Sequence, residues 1–453
     1  MKRKSEPYVS TTNACKLCKP LGACLAFRGI EGAVPFLHGS QGCATYMRRY
    51  IISHFREPMD IASSSLGEKN AVYGGGANLK QGLHNVMTKY GARLIGVATT
   101  CLTETIGDDV PMIVRKFRQE KKGRERGPEI VTVSTPSYAG THMEGFHAAV
   151  KAVVEQLARA GAATEAVNLL PGFVSPADIR YLREIFRDFE IPGIILPDFA
   201  DTLDGQAQVD YEKIPAGGTP LEAIKRMGAS RATIELGRTL FSQETAGQVL
   251  VERFDVPLHR LGTPIGLRET DAFFQILEQI SGRPAPEPHA GERGRLLDAY
   301  VDGHKYIFGQ KAVVYGEEDL VVGLTAFLAE IGVRPVLCAS GGGSGRLAAA
   351  IAAVTGGLLP EPPVVREGMD FYEISEELEA LEPDLLIGHS KGYHLARKRG
   401  IPLIRVGFPI HDRFGGQRIL HLGYRGAQSL LDRIVNAILE KKQEDSRVGY
   451  GYL

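Results

Sequence analysis

The sequence predicts an α/β fold in three units, each a parallel sheet flanked by helices. Three observations carry that expectation. The 453 residues suffice for about three domains at ~150 residues each. Short β-rich apolar runs alternate with helix-like segments along the chain, which is the pattern of parallel sheets covered on both faces. The runs close on small or polar residues, where the strand-to-helix loops of such sheets belong.

The elements follow in order. AVPFLHG reads as a strand and leads into the Gly-rich loop HGSQGC. ARLIGVATTCL (92–102) is an apolar run ending in small and polar residues, and the helix-like DDVPMIVRKFRQEKK follows it. EIVTVSTPS (129–137) is a further strand ending in a turn. TEAVNLLPGFVSPADIRYLREIF (164–186) repeats the format. In it Ser175 and Pro176 stand as N-cap and first helical residue, because proline's missing donor costs nothing there. IPGIILPDF (191–199) and RATIELG (231–237) read as strands. KAVVYGEEDLVVGLTAFLAEIGVRPVLCAS (311–340) is one βαβ unit and PDLLIGHSKGYHLARKRGIPLIRVGFP (383–409) another. The Pro- and Gly-bearing SGRPAPEPHAGERGR (281–295) marks a boundary near the start of that last group. The expected domains are therefore 1–163, 164–305 and 306–453, each Rossmann-like. The last closes on a polar tail, KKQEDSRVGYGYL, read as an exposed arm. No short tandem repeat is present.

Composition narrows the function. Apolar residues make up 43% and charged residues 23%, as in an ordinary globular protein. The 53 basic and 53 acidic residues cancel, so nothing points to nucleic acid or an anionic membrane, which call for a basic excess. The basic, polar start has no apolar stretch behind it, and no run approaches the ~20 residues of a membrane span. The expected location is cytoplasmic.

Five of the six cysteines, Cys15, Cys18, Cys24, Cys43 and Cys101, fall early in the chain, and the sixth is Cys338. In a cytosolic protein such clustering reads as metal binding or redox chemistry rather than a disulfide scaffold. Cys338 lies inside a strand-like run and reads as a small apolar packing residue. Cys101 and Ser137 close strands, and Cys43 lies in the loop after one, so these donors can converge at one sheet edge. Soft thiolates select Fe–S clusters or zinc. Cys15 and Cys18 have the C-x-x-C spacing of zinc sites, but no second pair follows. The dispersed Cys18, Cys43 and Cys101 do not fit a zinc ribbon.

Several long segments carry a family resemblance. CKPLGACLAFRGIEGAVPFLHGSQGCATYMRRYIISHFREP (18–58) is similar to the stretch of nitrogenase MoFe-protein β chains that bears two cluster cysteines. ATTCLTETIGDDVP (98–111) resembles the third cysteine segment, and STPSYAGTHMEGF (134–146) the segment with a serine beside the cluster. GERGRLLDAYVDGHKYIFGQKAVVYGEEDLVVGL (291–324) and IGHSKGYHLARKRGIPLIRVGFPIHDRFGGQRILHLGYRGA (387–427) extend the match over nearly the whole chain. By these segments the chain is identified as a member of the nitrogenase component 1 family, β type.

The resemblance implies that Cys18, Cys43 and Cys101 are the β-side thiolates of an 8Fe–7S P-cluster. It makes Ser137 the serine that ligates this cluster on oxidation. Three cysteines of an α-type partner would hold the other half within an α2β2 heterotetramer; a simpler 4Fe–4S cluster is the alternative. An ATP-hydrolysing homodimeric iron protein would donate electrons, and the large iron–sulfur cofactor and the substrate would sit in the partner. Tyr73, in AVYGGG, aligns with an aromatic residue of the iron-protein docking surface, or else is a partly exposed packing residue. Its glycines read as a turn, since no G-K-[ST] follows. Arg56, Glu57, Asp298 and Asp302 align with a divalent cation site between the two β chains. The two aspartates are four apart and share one helix face; an ordinary solvated acidic face is the alternative. Cys15 and Cys24 match no family role and read as structural, with Cys15 an outside candidate for redox or ligand chemistry. GGGSGR (341–346) resembles a dinucleotide loop, a weak signal alone. His389 and His411 read as core or surface histidines.

Three kinds of relative share this architecture: the β chain of a true nitrogenase, a NifN-type scaffold for cofactor assembly, and the β chain of methylthio-alkane reductase, which cleaves C–S bonds to release methanethiol. The short segment before Cys18 speaks against the first. The complete ligand set suits an electron relay better than a scaffold. The leading expectation is the methylthio-alkane reductase β chain.

Overall fold

The computed structural model describes residues 13–120, 127–138, 140–210, 212–240 and 244–449. Three all-parallel sheets organise it. The first takes β1 (Ala33–His38), β2 (Ala62–Ser63), β3 (Leu94–Thr99) and β4 (Glu129–Val133), in the order β2-β1-β3-β4. The second takes β5 (Val167–Leu170), β6 (Gly193–Ile195), β7 (Ala232–Leu236) and β8 (Leu258–Leu261), in the order β6-β5-β7-β8. The third takes β9 (Lys311–Gly316), β10 (Arg334–Ser340), β11 (Val364–Arg366), β12 (Leu385–Gly388) and β13 (Leu403–Arg405), in the order β11-β10-β9-β12-β13.

The strand text explains this class. Every residue of β1 and β3 is buried, which is what a parallel sheet covered on both faces demands. The register pairs Ala33–His38 with Leu94–Thr99, one to one. The largest buried apolar cluster runs through all three sheets, from Leu21 and Phe27 through Phe199 and Phe273 to Phe327 and Ile434. Each such side chain contributes about 1.5–3 kcal/mol by leaving water.

Two polar stretches carry helix. The Pro-bearing stretch before the third sheet is half helix, because the helix Glu287–Ile307 begins inside it. Pro286 is its cap and Pro288 lies in its first turn, where the missing N–H is harmless. The polar tail is also not a separate arm at its start: Gly423–Asp445 is one helix, and Lys441–Asp445 are its last turns. Its final residues, 450–453, lie outside the described residues, as do 121 and 122 of the helix-like run after Cys101. Among the described residues no helix is long and apolar enough to cross a membrane.

The helices Lys19–Arg28 and His142–Leu157 cross at glycines. A Cβ on Gly22 would lie 1.6 Å from the His142 carbonyl oxygen, and one on Gly145 would lie 1.8 Å from that of Lys19. Only glycine permits this backbone approach, and it sets Cys18 beside the start of the second helix.

Candidate metal-cluster site

The order β2-β1-β3-β4 reverses direction between β1 and β3. At such a switch point the loops leave on opposite faces and open a crevice at the carboxyl ends of the strands. Cys43 follows β1 and Cys101 follows β3, so both stand at that crevice.

Each cysteine also begins a helix. Cys18 is the N-cap of Lys19–Arg28, with Pro20 in the first turn. Cys43 lies in the first turn of Gln41–Phe55, whose N-cap Ser40 accepts from the Gly42 N–H at 3.2 Å. Cys101 is the first residue of Cys101–Ile106, closed by a capping box between Thr100 and Thr103. Helix N-termini present free N–H groups and a positive dipole end toward an anionic ligand.

Further bonds fix the set. The Ser137 N–H donates to Cys101 Sγ at 3.1 Å, and Ser137 Oγ accepts from the Lys19 N–H at 3.1 Å. Ser137 thus links the Cys101 turn to the Cys18 helix. Asp108 accepts from the Gly75 N–H at 2.9 Å and pairs with His38 Nε2 at 3.1 Å. The His38 carbonyl in turn accepts from the Thr100 and Thr103 hydroxyls at 3.2 and 3.0 Å. This braces the turn that carries Cys101.

The electrostatics bring the three thiols together. Burial pushes the Cys43 thiol above its ordinary value, and the nearby Cys18 and Cys101 push it further. All three are partly exposed, whereas Cys15, Cys24 and Cys338 are buried. Among the described residues no three His, Cys, Asp or Glu side chains close on a point that would hold one metal ion. Cys18, Cys43 and Cys101 are therefore not arranged as a mononuclear zinc centre. Three partly exposed cysteines, two at the crevice and one tied to it through Ser137, suit an iron–sulfur core, which binds cysteine as thiolate.

The other cysteines are structural by this measure. Cys338 Sγ lies 3.2 Å from Thr325 Oγ1, and burial lifts its thiol to about 12. Cys24 is fully buried, and burial pushes its thiol far up. Cys15 Sγ lies 3.6 Å from His389 Nε2, and burial lifts it to about 12. His389 is buried, and among the described residues its Nδ1 has no hydrogen-bond partner; His411 is exposed.

The remaining candidates separate. Tyr73 is 85% exposed and Val72 78%. Of the glycines after it, Gly74 and Gly75 separate two helices and Gly76 already starts the second; a Cβ on Gly75 would meet Asp108 Oδ2 at 2.6 Å. Arg56 caps its helix in the left-handed conformation, and Glu57 accepts from the Gly205 N–H at 3.2 Å. Asp298 and Asp302 stand exposed on the helix Glu287–Ile307. The structure does not join the two pairs into one site within this chain. GGGSGR is filled by the protein's own anions: Glu318 accepts from Ser344 N–H at 3.1 Å, and Glu367 from Gly345 and Leu347 N–H at 2.9 and 3.0 Å. These carboxylates sit where a dinucleotide phosphate would.

Sequence reading missed two contributors. The Leu17 N–H donates to His142 Nδ1 at 3.3 Å, and His142 Nε2 pairs with Glu317 at 2.9 Å. Lys391 reaches the segment ahead of Cys18 from the third sheet. Both contacts span more than a hundred residues of sequence, so no local pattern announces them.

Comparison with known proteins gives the same direction. The family model for nitrogenase component 1 type oxidoreductase matches residues 18–439. The chain is 35% identical to the nitrogenase molybdenum-iron protein beta chain of Clostridium pasteurianum, over 96% of this chain and 94% of that one. It is 35% identical to the nitrogenase vanadium-iron protein beta chain of Trichormus variabilis, over 93% and 92%. A chain of the solved structure "Nitrogenase Cp1 at pH 6.5" superposes with a TM-score of 0.95 at 34% identity, covering 100% of this chain and 98% of that one.

Proposed function

The chain belongs to the nitrogenase component 1 type oxidoreductase family, and from that premise we propose that it is a β-type subunit holding half of an interfacial 8Fe–7S cluster. The observation that carries this reading is the placement of Cys43 and Cys101 at the switch-point crevice, with Cys18 tied to Cys101 through Ser137. The partner, an α-type subunit in an α2β2 assembly, would supply the remaining thiolates. When bound, the cluster supplies one-electron chemistry between an ATP-dependent iron protein and a cofactor in the partner.

The chain's own residues have definable tasks. Cys18, Cys43 and Cys101 bind. Ser137, tied to Cys101 Sγ and to the Lys19 N–H, holds its hydroxyl beside the thiolates and can add an oxygen ligand. The capped turns orient the sulfurs, and their hydrogen bonds tune the potential. Tyr73, standing free of the fold, is the proposed contact for the iron protein. Arg56 and Glu57 of one β chain, with Asp298 and Asp302 of a second copy, are the proposed cation ligands between β chains.

For the reaction we keep methylthio-alkane reduction, with C–S cleavage and methanethiol release, as the leading proposal. A second reading, the β chain of a true nitrogenase, is favoured by the molybdenum-iron and vanadium-iron relatives. The short segment before Cys18 does not discriminate, since this chain covers 94% of the Clostridium pasteurianum protein. The test is an anaerobic assay of the complex with iron protein, ATP and reductant. Methanethiol release from a methylthio compound without ammonia formation from dinitrogen is expected. Ammonia without methanethiol would select the second reading. Neither product, with transfer of a cofactor to an apo-nitrogenase, would select a scaffold.

A further inference from the structure

Lys391 sits in the short turn after β12 and points its ammonium at the N-terminal segment. Its Nζ donates to the Ala14 carbonyl at 2.7 Å and lies 3.5 Å from that of Lys16. It also lies 5.9 Å from the centre of the Tyr50 ring, on the helix that begins beside Cys43. No carboxylate pairs with it among the described residues. Burial disfavours its charge, and the nearby Cys15 and Cys18 are the groups that favour it. A half-buried cation held only by carbonyls lacks the counter-ion that burial demands. Cys15 does not provide one, because burial keeps it a neutral thiol. Cys18 as a cluster thiolate does.

We propose that Lys391 is a positioning residue for the cluster: it clamps the Ala14–Lys16 backbone ahead of Cys18 and places a fixed positive charge behind that thiolate. The clamp follows from the two carbonyl contacts, which tie the third sheet to the first cluster ligand. The charge has a redox consequence. A cluster held by Cys18 would carry more negative charge in its reduced form, while the charge on Lys391 would stay the same. A cation at fixed distance stabilises the reduced form more than the oxidised form, so it raises the midpoint potential. The inference rests on the interfacial-cluster reading of Cys18.

The test uses the assembled, anaerobically purified complex carrying K391Q, K391A or K391R. Iron content and a redox titration followed by electron paramagnetic resonance are the readouts. Both neutral variants are expected to retain iron and to shift the midpoint to lower potential, while K391R stays with the wild type. Loss of iron from both neutral variants but not from K391R would also support a required charge. An unchanged midpoint in K391Q and K391A at full iron would overturn the proposal. So would equal iron loss in all three variants, since side-chain shape rather than charge would then matter. Failure of the underlying reading is distinguishable, because the wild-type complex itself would then carry no cluster iron.

Discussion

Single residues connect the site to the stability of the molecule. Asp178 is 1% exposed and accepts four hydrogen bonds, from the N–H groups of Ser175, His421 and Leu422 and from His421 Nδ1. Burial opposes its charge, but the His421 pairing and these bonds hold its carboxyl below the usual range. Its stabilisation is therefore complete above the unfolded value of about 3.9 and disappears as pH falls through the lower folded value. D178N is expected to cost about 1–3 kcal/mol, because the amide cannot accept all four of these buried hydrogen bonds. The gap in thermal midpoint between wild type and D178N should stay constant from pH 8 to pH 5 and narrow only below about pH 4. A gap that widens toward acid would contradict the sign. Tyr73 behaves oppositely: at 85% exposure its replacement by alanine should change stability by less than about 0.5 kcal/mol. It should nevertheless weaken iron-protein-dependent turnover, and unaltered turnover across a range of iron-protein concentrations would remove Tyr73 from the docking surface.

Among elements, the glycine crossing of Lys19–Arg28 on His142–Leu157 makes the cluster site depend on helix packing. G22A would put a methyl carbon 1.6 Å from the His142 oxygen. The helices must separate, at about 1–3 kcal/mol or more, and Cys18, the cap of the first helix, moves with them. The expected outcome is a lower thermal midpoint together with reduced iron per αβ pair. G294A is the control, because its Cβ meets nothing within 4 Å in the helix Glu287–Ile307. It should keep iron and gain about 0.5–1 kcal/mol of stability. Much at this level was legible in the sequence. Runs such as AVPFLHG and RLIGVATT announce buried parallel strands because both faces are apolar, and Ser175-Pro176 announces its helix through cap chemistry. The Gly22–Gly145 crossing, the Asp178–His421 pair and the Lys391 clamp were not legible. They join residues 123, 243 and 377 positions apart, and periodicity carries no information over such distances. The Pro-bearing stretch shows the same local legibility as Ser175-Pro176, since its Pro286 and Pro288 suit a helix start.

For the whole molecule, three sheets share one buried apolar cluster, so the cradle is rigid before any partner arrives. What the chain leaves outside is informative. Leu297 is 47% and Val301 72% exposed on the helix that carries Asp298 and Asp302. In the proposed assembly this face meets a second β chain. V301E should reduce the complex from α2β2 to αβ pairs by light scattering without loss of cluster iron. A full-size V301E assembly would place the β–β contact elsewhere.

The central claim is that three thiols of this chain hold one half of a shared iron–sulfur cluster. The most direct measurement is iron per αβ pair in anaerobically purified complexes carrying C43A, C101A or C338A. The account predicts that C43A and C101A lose cluster iron and weaken subunit association, while C338A, whose sulfur is buried against Thr325, matches the wild type. Equal iron in all three variants would contradict it.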